Sequence, residues 1–170
     1  MNNPPVEALY VVSLEEIIWG GILVAITMAI HGSGMLMVLR FNHSLKKRLT
    51  SMKGLMSGLL PLIFTSCMIM LVHLTEVLVW AGFFYWKGAF PNSSTSFYFA
   101  LNEYTTVGSR FSLPLNWRLL EGIIASAGLL TFALSTGVLF GLAKTFLEQP
   151  IEFSFKHHKK EPTKTKDNTF

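Results

Sequence analysis

Apolar residues arrive in three long blocks separated by short polar stretches. The first block covers residues 17–39 and holds no Asp, Glu, Lys or Arg. About 23 residues at ~1.5 Å each suffice to cross a hydrocarbon core of ~30 Å. Glu15 and Glu16 precede it, and Arg40 closes it. The second block, residues 55–86, exceeds a bilayer core and must tilt or project. Pro61 lies near its start, where a missing backbone hydrogen bond does least harm. Trp80, Phe83, Phe84, Tyr85 and Trp86 crowd its far end and predict an aromatic belt at the membrane–water boundary. The third block, residues 118–147, carries charge only near its ends, at Arg118, Glu121 and Lys144.

A fourth apolar stretch, residues 95–105, is far too short to span. Pro91-Asn92-Ser93-Ser94 before it has helix-start chemistry, and Pro114 after it blocks helix. Non-helical backbone at membrane depth survives only inside protein or against water. The pattern therefore predicts an all-α integral membrane protein with three transmembrane helices. It adds one re-entrant pore helix and loop between the second and third.

Composition agrees. The 170 residues are 51% hydrophobic and 14% charged, with a mean hydropathy of +0.44, which excludes an ordinary soluble domain. The formal charge of +4 points to anionic lipid rather than nucleic acid, because the basic residues sit beside the spans. Arg40, Lys46, Lys47, Arg48 and Lys53 fill a linker, residues 40–54, that contains no acid. Lys156, Lys159, Lys160, Lys164 and Lys166 fill a polar tail, residues 148–170, which reads as disordered or interfacial. Positive loops stay inside, so linker and tail are expected in the cytoplasm and residues 1–16 outside. The expected location is the cell's inner (plasma) membrane. The N-terminus lacks the basic start of a secretory signal, so the first block reads as retained. Cys67 is the single cysteine; it forms no disulfide within the chain and builds no thiolate metal site.

The residues that decide function are Thr105-Thr106-Val107-Gly108-Ser109-Arg110. They follow Phe97-Tyr98-Phe99-Ala100-Leu101-Asn102-Glu103-Tyr104 and precede Trp117-Arg118-Leu119-Leu120-Glu121 and Leu130-Thr131-Phe132-Ala133-Leu134-Ser135-Thr136. With His73-Leu74-Thr75-Glu76, this order resembles the pore domain of potassium channels, in the version found in small prokaryotic ion-channel proteins. The likeness covers roughly residues 71–146. It implies an outer helix at 55–86, a pore helix at 95–105, a filter-like loop at 106–110 and an inner helix at 118–147. It also implies passive conduction of potassium or another monovalent cation through a homotetramer, or a heteromer with related pore subunits, in a lipid bilayer. Thr105, Thr106, Val107, Gly108 and Ser109 would form the ion filter, whose backbone carbonyls replace the ion's water. Thr106, Val107 and Gly108 match the inner half of the family's T-V-G-Y-G. Ser109 stands in place of its tyrosine and Arg110 in place of its second glycine. A ring of arginines at the pore mouth repels cations. Either Arg110 pairs with Glu76, Glu103 or Glu121, or the chain is a non-conducting or modulatory protein that keeps the scaffold.

Other residues have two readings. His73 and Glu76 share a helical face as an outer-helix polar pair, either sensing a proton or ion, or anchoring the helix behind the filter. His31, with Gly32-Ser33-Gly34, reads as a packing patch, and a metal or proton role for a lone histidine is the weaker reading. Gly128, Thr131 and Ser135 form an inner-helix face that either lines a cavity, with Gly128 as gate hinge, or is a packing seam continued by Gly137 and Gly141. A proton-coupled carrier or membrane enzyme would rest on His31, His73 and Glu76 alone. No catalytic motif is present, His157-His158 is too isolated to hold a metal, and no enzyme activity, cofactor or metal is expected.

Overall fold

Asn92 and Ser13 begin two of the helices, and their side chains explain why. The computed structural model describes residues 10–48 and 56–158, with side chains over 10–45 and 59–144. The helices are α1 (Leu14–Arg48), α2 (Met56–Trp86), α3 (Ser93–Tyr104) and α4 (Leu119–His158), with a 3-10 turn at Leu115–Trp117. Ser13 and Glu16 form a reciprocal capping box at the start of α1: Ser13 N–H donates to Glu16 Oε2 at 2.9 Å, and Glu16 N–H donates to Ser13 Oγ at 3.2 Å. Asn92 Oδ1 accepts the Thr95 N–H at 2.7 Å and caps α3. Pro114, extended at φ −51° and ψ 150°, precedes the 3-10 turn that leads into α4.

Glu16 also fixes helix direction. Its Oε1 accepts the Leu119 N–H at 2.9 Å, so α1 and α4 begin at the same end and run parallel. Lys87, just past the end of α2, reaches Glu15 at 3.3 Å, so α2 runs the other way. At the opposite end Asn42 donates to Thr65 at 2.6 Å, both buried.

Helices α1, α2 and α4 are each long and apolar enough to cross a membrane. Only 28% of the most apolar stretch of each is buried within the chain. Ile22, Met37, Ile63, Leu71, Leu129 and Phe140 face outward. Such a surface is stable against lipid or another apolar face, not against water. The main core fills the capped end: Trp80, Phe84, Phe99, Tyr104, Leu120 and Ile124 are almost fully enclosed there.

Three expectations change. Trp80, Phe83 and Phe84 are buried, and only Tyr85 and Trp86 are exposed as a boundary belt requires. Positions 80, 83 and 84 share one helical face, and that face meets protein. Trp80 also donates to Thr27 Oγ1 at 3.0 Å. Helix α1 continues to Arg48, so most of the basic linker is helix; its remainder, residues 49–54, lies outside the described residues. Helix α4 runs on to His158, eleven residues past the expected end at 147. The switch from apolar to polar ends the hydrophobic block but not the helix, which continues through Pro150. Residues 159–170 lie outside the described residues.

Candidate functional site

Helix α3 is wedged between α2 and α4, and glycine makes the fit. A Cβ on Gly128 would lie 1.9 Å from the Tyr104 carbonyl oxygen, so only glycine lets the two helices approach this closely. Tyr104 ends α3 against Glu76 and Thr131. Glu76 lies ten residues before the end of α2, and Thr131 twelve residues after the start of α4. At 1.5 Å per residue, the end of α3 is held ~15–18 Å down from the capped end.

The chain then turns back. Val107 N–H reaches the Asn102 carbonyl at 3.0 Å and Thr106 N–H reaches that of Glu103 at 2.9 Å. These two bonds make a Schellman cap, whose pivotal residue is normally glycine. Here it is Thr106, at φ 61°. A β-branched residue in left-handed backbone stores ~1–3 kcal/mol of strain and persists only where its surroundings enforce it. Gly108, at φ 81°, follows, with its N–H on Asn102 O at 3.2 Å. Ser109 N–H donates to Glu103 Oε1 at 2.8 Å. Four consecutive amides are thus tied back to α3. The carbonyl oxygens of Thr105, Thr106, Val107 and Gly108 accept no hydrogen bond from the described residues. Val107 is 75% exposed. Burial pushes the Glu103 carboxyl above its ordinary value; the Ser109 amide opposes this and the Glu121 charge adds to it.

Behind the loop lies a polar network that draws on every α-helix. His31 Nδ1 from α1 meets Glu76 Oε1 from α2 at 2.9 Å. The Tyr104 hydroxyl from α3 donates to Glu76 Oε2. His73 Nδ1 lies 2.9 Å from the Tyr104 oxygen, and His73 Nε2 lies 3.0 Å from Ser135 Oγ on α4. Thr131 Oγ1 closes on the Tyr104 oxygen and on the Gly128 carbonyl. All six side chains are buried. Tyr104 has one proton and gives it to Glu76, so the His73 Nδ1–H is the donor toward the Tyr104 oxygen. His31 donates from Nδ1. Its Nε2 is, among the described residues, the one buried side-chain nitrogen or oxygen without a hydrogen-bond partner.

His73 and Glu76 do come together, 3.7 Å apart, and they anchor α2 to the end of α3. His31 joins them, 45 positions from Glu76 in sequence, a distance no spacing argument bridges. Gly34 beside it packs on Val72, as a small-residue contact should. Gly128, Thr131 and Ser135 face Tyr104 and His73 inside the chain, so this face is a packing and hydrogen-bonding seam rather than the wall of an open cavity. Their small size suits a tyrosine and a histidine better than water. A Cβ on Gly137 or Gly141 would meet no neighbour within 4 Å among the described residues. Arg110 is exposed and makes no ion pair among the described residues. The three acids expected to neutralise it are engaged elsewhere: Glu76 in the network, Glu103 on Ser109, and Glu121 on the Leu113 N–H at 2.6 Å.

Compared with protein-family models, curated proteins and solved structures, the chain matches none.

Proposed function

We propose that the chain is a pore-loop channel subunit that conducts monovalent cations passively, with potassium the expected ion. One observation carries this reading. The amides of residues 106–109 are bound back to α3, and the carbonyl oxygens of residues 105–108 are left without partners among the described residues. A cation filter needs that division, since oxygens released from the fold can replace an ion's hydration shell. The depth of α3 supports it. If α2 and α4 cross a ~30 Å core, the C-terminal end of α3 lies near mid-membrane, where its partial negative charge favours a cation. One loop cannot enclose a pore, so the reading requires four chains, alike or related, around an axis. Basic residues concentrate toward the C-terminal ends of the parallel helices α1 and α4, which supports the N-terminus outside and the C-terminus in the cytoplasm.

A second reading, a non-conducting or modulatory subunit, is favoured by Arg110, which makes no ion pair among the described residues. Flux through purified protein in liposomes separates the two. Channel activity predicts passive flux selective for potassium over sodium, lost in Gly108→Ala, because that position needs left-handed backbone. Arg110→Gly should increase the flux. Silence in both wild type and Arg110→Gly favours the scaffold reading, and flux locked to a proton gradient favours a carrier.

A further inference from the structure

The buried network gathers two imidazoles around the Glu76 carboxylate, and among the described residues His31 Nε2 has no hydrogen-bond partner. Buried charges are paired or coordinate metals. His31, His73 and Glu76 each offer a ligand atom, and these atoms lie within 4.8 Å of one another. The His31 Nδ1–Glu76 Oε1 and His73 Nδ1–Glu76 Oε2 separations are 2.9 Å and 3.7 Å. Ligands ~2.0–2.1 Å from a tetrahedral zinc ion sit ~3.3–3.4 Å from each other, so side-chain adjustments of about an ångström would bring these atoms onto one ion. We propose that His31, His73 and Glu76 form an intramembrane site for a divalent transition-metal ion of the zinc type, with the Tyr104 oxygen as fourth ligand.

The chemistry suits the class. Two imidazoles and a carboxylate favour zinc-like ions over calcium or magnesium, which prefer oxygen alone. A ligating histidine usually donates its other N–H to a fixed acceptor, and Ser135 Oγ stands 3.0 Å from His73 Nε2 for that purpose. His31 Nε2 has no such acceptor among the described residues. On binding, the imidazole protons move to the nitrogens away from the metal, and the Tyr104 proton leaves to solvent. The divalent charge is then balanced by one carboxylate and one phenolate. Tyr104 is the last residue of α3 and leads straight into the Thr105–Gly108 turn, so an ion here locks the base of that loop to α1 and α2.

The site does not depend on conduction, since a chain that passes no ions still binds the metal. The test uses the full chain, purified in detergent from cells grown with added zinc, because ligands this buried load during folding. Metal content and thermal unfolding are read together. The expected result is one zinc per chain and a lower unfolding midpoint after chelation. Occupancy should disappear in His31→Ala and in the gentler His31→Gln, and be retained in a His43→Ala/His157→Ala/His158→Ala variant. Tyr104→Phe should weaken binding by about tenfold or more. Cobalt substitution should give the visible bands of a tetrahedral nitrogen–oxygen site. Folded wild-type protein without zinc, or zinc that follows His43 and the tail histidines, overturns the proposal.

Discussion

Two glutamates are fully enclosed, and they are held by different kinds of partner. Glu16, at the capped end, accepts backbone amides from Ser13 and Leu119, with hydroxyls from Ser13 and Tyr10. Glu76, halfway down, is held by an imidazole and a phenol, with a second imidazole near. Backbone amides cannot change protonation, so Glu16 is a permanent rivet between the starts of α1 and α4. The partners of Glu76 can each move a proton or bind a metal, so that region can exist in more than one state with the same backbone. The comparison separates what assembles the bundle from what can respond within it.

The largest effect should come from removing Glu76. Glu76→Leu strands His31 and the Tyr104 hydroxyl in an apolar core, which costs ~3–5 kcal/mol. Thermal unfolding in detergent should fall by roughly 10 °C. Glu76→Gln should lose less than half as much, because Tyr104 can turn its proton to Thr131 and His31 can shift its own. Equal losses for Leu and Gln would break the claim that this region adapts.

Glu16→Gln should behave in the opposite way. Its new amide must face either the Ser13 N–H or the Leu119 N–H, and neither can become an acceptor. The loss of a cap costs ~1–2 kcal/mol by thermal unfolding. A Gln variant as stable as wild type would mean that Glu16 is no rivet.

Glu103 is the intermediate case, with one backbone amide and a like charge nearby. Its carboxyl sits above the ordinary value chiefly through burial. The stability it contributes is therefore complete below the usual carboxylate pKa of ~4.3 and is lost as pH rises through the raised value. Melting curves between pH 4 and 8 should be flatter for Glu103→Gln, by about 1 kcal/mol or less. Superimposable pH profiles would remove Glu103 from the comparison.

Much of this was legible in the chain. Three apolar blocks, the cap at Asn92, and His73 three positions before Glu76 are local patterns, and local patterns survive translation into helices. The aromatic run from Trp80 misled because composition cannot say whether a helix face meets lipid or protein. Gly128, Thr131 and Ser135 left two readings open for the same reason: small polar residues suit a water-filled cavity and a buried tyrosine equally. His31 stood out only as part of a packing patch, and its link to Glu76 was not legible, since that partner lies a helix away.

By itself the sequence determined the number of spans, the short helix between the last two, and where the basic charge collects. Hydrophobic length and capping chemistry act over a few turns and need no partner. Tertiary structure alone decided which faces met. It joined α1 to the buried network, turned Thr106 left-handed beneath a bound-back loop, and brought Tyr104 onto a bare glycine. Those outcomes rest on close packing between helices remote in sequence, where a single methyl group or an unsatisfied proton selects one arrangement over another.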